Sequence, residues 1–244
     1  MWFSVLFIVW KLFVTGSAFT FSTTYNETEA NVLFRMNAGV YVQNPSRCIP
    51  ITAPSQDNWI LVTKKEVDCS RFPGNVCAFM VLRSDVQKQL LIVFRGTVGD
   101  AQLITEFLSL FTLPYEDFGS VNAYFHDAFI TIWPLIASVL DDEQTKDYSV
   151  VFSGFSLGAA LSTIAALKTV KEGHRSNEQI YLMTFGEPRV GDGKFAKNVD
   201  RNLKYVFRVV NRADLIPHLP PCASVGSLCF KLPFTSYHHV SNRK

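Results

Sequence analysis

Ser156 stands between Gly154 and Gly158 in the pentapeptide Gly-Phe-Ser-Leu-Gly, with the β-branched pair Val150-Val151 before it and an Ala-rich stretch to Leu167 after it. A serine hydroxyl attacks an ester only when it is turned outward beside a base, and a sharp strand-to-helix turn achieves the first of these. Such a turn strains the serine backbone, so glycines two residues before and after are needed to let the helix pack close. The turn also aims the first helical amides at the site, where the Leu157 N–H is expected to stabilise an oxyanion. A Gly-rich helix start with a serine cap fits the pentapeptide as well. The apolar strand on one side and the helix on the other weigh toward the nucleophile.

The elements that must hold this turn are legible around it. Cys77–Thr97 reads as two strands joined by a polar turn near Ser84-Asp85, because β-branched and aromatic residues cluster on both sides. In Ala101–Phe118 the residues Leu103, Ile104, Phe107, Leu108 and Phe111 share one helical face, which predicts a short amphipathic helix ended by Pro114. Ala123–Leu140 reads as a helix, Tyr148–Ser153 as a buried strand, Ser156–Lys171 as a helix, and Gln179–Phe185 and Lys204–Val210 as strands. Strands alternating with helices predict a parallel, three-layer α/β sheet. No repeat, low-complexity tract or linker divides it.

A chain of 244 residues, 48% hydrophobic and with a net charge of +2, can bury a full core as one large domain. The basic residues are scattered, so nucleic acid is not expected as a partner. Residues 1–18 are apolar apart from Lys11 and end in Gly16-Ser17-Ala18, the pattern of a cleaved signal peptide. A membrane anchor is the alternative, but the run is short and carries a lysine. Secretion is therefore expected, with residues 19–244 as the extracellular domain. Asn26-Glu27-Thr28 is a glycosylation sequon, whereas Pro45 blocks the one at Asn44. Cys48, Cys69, Cys77, Cys222 and Cys229 have no spacing suited to a metal, so disulfides are the expected use and neither metal nor cofactor is anticipated. Their odd number leaves one thiol without a partner in this chain.

Four blocks in order, Leu90–Thr97, Ser153–Leu161, Thr184–Asp192 and Arg208–Pro221, resemble those of the fungal-type, class 3 lipases. The resemblance covers roughly Tyr25 to His239, and the extra cysteines are similar to those of a secreted nematode-type branch. It implies an α/β-hydrolase fold, with a mostly parallel central sheet and helices on both faces, that hydrolyses carboxylic esters, typically acylglycerols. By this likeness Ser156 is the nucleophile, Asp214 the triad acid, and Thr97 the oxyanion residue that joins the Leu157 amide. Taken alone, Asp214 reads as a turn cap before Pro217. Arg95 and Arg189 read as structural. Gln102–Leu113 matches the family's lid by position, a helix whose apolar face would turn outward at a lipid–water interface.

The chain departs from the family pattern in several places. Phe155 and Ala159 replace a usual His and Gly, and Asn122 stands where a His of a His-x-Gly-Phe motif is expected. The family's general base lies well downstream of the acid, beyond a Tyr-x-His segment that Tyr237-His238-His239 resembles, and this chain ends before it. Of the five histidines, His126, His174 and His218 read as packing or surface residues, which leaves His238 and His239, on a mobile end, as candidate substitute bases. Two functions follow: a secreted acylglycerol lipase or esterase, or an impaired lipid-binding or regulatory form that keeps the fold.

Overall fold

A computed structural model of the chain describes residues 21–68, 76–98, 111–220, 223–225, 228–230 and 237–239. Helix α1 (Glu27–Asn37) begins where the Asn26 side chain accepts hydrogen bonds from the Thr28 and Glu29 amides, with acids in its first turn and Arg35 in its last. It buries Ala30, Leu33 and Met36, and a single turn, α2 (Ile49–Thr52), follows.

Six strands form the central sheet in the order β1 (Ile60–Asp68), β2 (Val76–Ser84), β3 (Gln89–Phe94), β6 (Ser149–Phe155), β7 (Ile180–Phe185) and β9 (Tyr205–Val209). The first three run antiparallel, while β3, β6, β7 and β9 run parallel. Between β3 and β6 lie β4 (Thr112–Tyr115), β5 (Gly119–Asn122) and α3 (Ala123–Leu140); α4 (Leu157–Lys171) joins β6 to β7, and β8 (Gly191–Asp192) with α5 (Gly193–Asn202) joins β7 to β9. Strands β3 and β7 are buried along their whole length, as expected of parallel strands covered on both faces. Alternation assigns their side chains: Leu90, Ile92 and Phe94 pack with Phe129, Ile132 and Leu161 from α3 and α4. Leu91 and Val93 pack with Leu33 and Met36 of α1 on the other face. This is the predicted mostly parallel sheet with helices on both sides. A small second sheet, β12 (Tyr237–His238) with β8, β5 and β4, and a pair, β10 (Ala223–Val225) with β11 (Leu228–Phe230), complete the described residues.

The sequence expectation of a helix running to Pro114 is corrected at its end. Residues 101–110 lie outside the described residues, but Thr112–Tyr115, which was to end a helix at Pro114, is strand β4 paired with β5. Pairing with Gly119–Asn122 supplies the hydrogen bonds that helical spacing alone could not reveal. His238 does not hang on a free end either, since its backbone pairs with Gly191.

Candidate active site

The parallel strands deliver their following loops to one edge of the sheet, where ligands of open α/β folds bind. Phe94 ends β3 and leads to Arg95, Gly96 and Thr97; Phe155 ends β6 and leads to Ser156; Phe185 ends β7 and leads to Gly186; Val209 ends β9 and leads through a short turn to Asp214.

Ser156 has φ 55° and ψ −121°, a conformation that L-residues rarely adopt and that only its surroundings can impose. Its amide donates to the Phe185 carbonyl at 3.0 Å, and its own carbonyl accepts from the Ala159 amide at 3.0 Å. The side chain caps nothing: Ser156 Oγ is buried and has no hydrogen-bond partner among the described residues. This removes the cap reading of the pentapeptide. Ala159 is the first amide to bond within α4, so the Leu157 N–H belongs to the unpaired group at the positive end of the helix.

The two flanking glycines are required by sterics. A Cβ on Gly154 would lie 2.4 Å from the Gly158 backbone, and one on Gly158 would lie 2.1 Å from the Phe94 carbonyl oxygen. Helix α4 therefore rests on the end of β3, which brings the Arg95–Thr97 loop beside the serine. Gly96 is equally tight, 2.6 Å from the Phe155 carbonyl for a notional Cβ, and its amide donates to Tyr41 Oη at 3.0 Å. Gly158→Ala is expected to cost roughly 3 kcal/mol or more, because the obstacle is backbone that cannot rotate away. Gly173→Ala, at φ +78° with open space around it, should cost only about 1–2 kcal/mol. Thermal unfolding of the two variants checks this, and equal losses would contradict the close fit at Gly158.

Asp214 reaches the same edge. A Cβ on Gly186, whose φ is +57°, would lie 2.7 Å from Asp214 Oδ2 and 3.1 Å from the Phe155 ring, so the glycine leaves room for the carboxylate. The other oxygen, Oδ1, accepts from the Ile216 amide at 3.0 Å. The acid is thus also the turn cap that its place before Pro217 suggests. Arg189 holds this turn by donating to the His218 and Pro220 carbonyls at 2.6 and 2.5 Å, and Arg95 is tied to Glu66 and the Val76 carbonyl. Both arginines are structural, as their sequence setting implied.

The histidines whose side chains are described make their contacts elsewhere. His126 meets Asp127 on α3, and His174 lies between Asp141 and Glu172. His218 is exposed, with no side-chain bond to Asp214 four residues away. The Arg208 guanidinium donates to His239 Nδ1 at 2.8 Å, an arrangement that leaves the ring proton on Nε2. Among the described residues, no histidine is hydrogen-bonded to Ser156 Oγ or to the Asp214 carboxylate. Two further residues at this edge escaped the sequence reading. Tyr41 braces the Gly96 loop, and Glu187 is a fully buried acid, pushed up to about 7 by desolvation. Only the acid's position just after the apolar run Ile180–Phe185 hinted at it.

Comparison with known proteins decides the family. Residues 91–224, more than half of the chain, match the family described as lipase (class 3). The chain belongs to the class 3 lipases. This lipase-family chain is 39% identical over 201 residues to a lipase of Caenorhabditis elegans, covering 81% of the chain and 56% of the relative. It is 36% identical over 149 residues to a lipase of Rhizomucor miehei, covering 59% and 41%. The chain spans about half the length of the curated relatives it matches. The solved structure of the Rhizomucor miehei triacylglyceride lipase superposes with a TM-score of 0.63 at 28% identity, covering 81% of this chain and 76% of that one. A mono- and diacylglycerol lipase of Aspergillus oryzae, 19% identical with a TM-score of 0.68 over 89% of this chain and 79% of that one, shares the fold. The class 3 lipase fold thus accounts for the sheet order and for the strand-to-helix turn at Ser156.

Proposed function

We propose that the chain is an extracellular carboxylic ester hydrolase acting on acylglycerols, with Ser156 as the residue that is acylated. The observation that carries this reading is the strained, buried Ser156 with an unpartnered hydroxyl at the start of α4, at the sheet edge that also holds Asp214 and the Gly96–Thr97 loop. Attack by Oγ on the ester carbonyl, with the hydroxyl proton passing to a base or to water, gives a tetrahedral oxyanion, which the Leu157 amide and the Thr97 amide and hydroxyl stabilise; collapse breaks the ester C–O bond, the alkoxide takes up a proton and leaves as the alcohol, and an acyl-serine remains for water to hydrolyse. Asp214 serves as the acid that orients the base. One solved relative with a TM-score of 0.64 and 27% identity is described as a triacylglycerol lipase whose catalytic centre is a serine protease triad, which supports the assignment. Release of fatty acid from emulsified triacylglycerol and of p-nitrophenol from its butyrate ester tests it, and inactivity on both would refute it.

Export is part of the proposal. It rests on the signal-like residues 1–18 and on Cys77, which is disulfide-bonded, while among the described residues Cys48 is free. The relative from Fusarium solani is named a secreted mono- and diacylglycerol lipase. A glycan on Asn26 fits as well, because the cap uses Oδ1 and the glycan would attach to the nitrogen.

The lid reading concerns residues 102–113, of which only Phe111 to Leu113 are described. Val98 and Phe111, on either side of residues 99–110, are each 70% exposed, and Leu215 beside Asp214 is 74% exposed. Apolar side chains so placed suit a lipid–water interface. Replacing Phe111 and Leu215 by Ser should weaken droplet binding roughly ten-fold, about 1.4 kcal/mol of lost apolar burial, while sparing soluble short-chain esters. A flotation assay with triolein droplets reads the result, and unchanged binding would remove these residues from the interface.

The absence of a histidine on Asp214 among the described residues favours a second reading, a lipid-binding form with impaired catalysis. The rate measurement argued in the Discussion separates the two.

A further inference from the structure

Glu187 is buried at the catalytic edge, yet the proposed reaction gives it no step. Its carboxylate accepts from Thr163 Oγ1 on α4 through one oxygen, and from Thr184 Oγ1 on β7 at 2.8 Å through the other. Arg208 of β9 acts on it electrostatically, and the Arg208 guanidinium also donates to His239, next to β12. Thr163 lies two helical turns beyond Ser156. Thr184 is level with Gly154 on one side and with Arg208 on the other. The residue before Glu187 is Gly186, the one against which the Asp214 carboxylate lies.

We infer that Glu187 is a positioning residue: it ties the helix that carries Ser156, the loop that seats Asp214 and the β12 segment into one body, so that serine and acid keep a fixed separation. This rests on Ser156 being the acylated residue.

A buried carboxylate is a poor source of stability, since its desolvation offsets what its partners return, and an isosteric neutral group is often tolerated or stabilising. What the charge supplies here is direction. Two hydroxyls from different elements donate to it at once, and Arg208 is near enough to attract it electrostatically. The neutral amide of Gln can accept from one threonine but presents an NH2 to the other, and it removes the electrostatic attraction between Glu187 and Arg208. The strained Ser156 conformation depends on a rigid surround, and small displacements of reacting groups are costly in rate.

The test is Glu187→Gln, with the rate and affinity of phosphonylation of Ser156 by an alkyl p-nitrophenyl phosphonate measured alongside thermal unfolding from pH 5 to 8.5. The Glu187 carboxyl titrates higher in the folded chain than its usual 4.5, near 7. Folding therefore takes up a proton between these values, and the stability present at pH 4.5 is lost as the pH rises through about 7. The Gln variant lacks this loss. Its Tm should exceed that of the parent by roughly 5 °C at pH 8.5, with the gap closing toward pH 5. Its phosphonylation rate constant should nevertheless fall roughly ten-fold, with inhibitor affinity unchanged. Stability and rate moving in opposite directions is the signature of positioning. An unchanged rate, or a rate and a Tm that fall together, would overturn the inference. Should the Gln variant not fold, Thr163→Val and Thr184→Val are expected to slow phosphonylation likewise, and normal rates in both would overturn it as well. Ser156→Ala is the control: if that variant is still labelled, the assignment of the nucleophile fails first and this inference goes with it.

Discussion

Ser156→Ala is expected to abolish covalent labelling by an alkyl fluorophosphonate and to remove whatever ester hydrolysis passes through an acyl-serine. Removing the nucleophile of a complete triad costs on the order of a million-fold, and a chain with a weaker base loses the covalent route all the same. The substitution removes one oxygen that has no hydrogen-bond partner, so the fold should not suffer. The backbone at φ 55° is imposed by Gly154, Gly158 and the bond to the Phe185 carbonyl, none of which the mutation touches. Mass spectrometry of the labelled peptide and a parallel Tm measurement are sufficient. Labelling of the alanine variant, or a parent that is never labelled, would sink the assignment.

The second large effect concerns the base. With Ser156, Leu157, Thr97 and Asp214 at one edge and no histidine bonded to serine or acid among the described residues, this 244-residue chain is expected to hydrolyse activated esters only roughly a thousand to ten thousand times faster than water. That rate lies at least about a hundred-fold below the one general-base catalysis would give. His239 accepts at Nδ1 from Arg208, whereas a triad histidine donates from one ring nitrogen to its acid and offers the other to the serine. His238→Ala and His239→Ala should therefore change the rate by less than about two-fold, and imidazole added to the assay should raise it roughly ten-fold. Full lipase turnover that vanishes on either histidine substitution would show that these residues supply the base, and the impaired reading would have to be dropped.

Much of this was legible in the chain. The strands show themselves in Cys77–Leu82 and Leu90–Phe94 because both faces are covered and the residues are apolar without a break. The nucleophile turn is legible because no residue but Gly fits two residues either side of Ser156, a local steric demand that leaves a local signature. Helix α3 is read correctly, even with Pro134 inside it, because its buried face repeats with helical spacing. The strand at Thr112–Tyr115 is not legible: its stability comes from pairing with residues four to ten positions on, and helical and strand patterns overlap in so short an apolar run.

At the site the division follows the same reason. Residue types and spacing by themselves determine a serine held at a strand-to-helix turn, the helix amides behind it and the class of chemistry they serve. Only the tertiary structure decides that Gly186 yields its space to the Asp214 carboxylate, that Tyr41 braces Gly96, and that Arg208 takes up His239. It alone makes Glu187 a buried acid with a threonine from each of two elements. These contacts join residues from 3 to 55 positions apart, and no local pattern records them, because a hydrogen bond across the sheet edge exists only once the strands have brought their ends together.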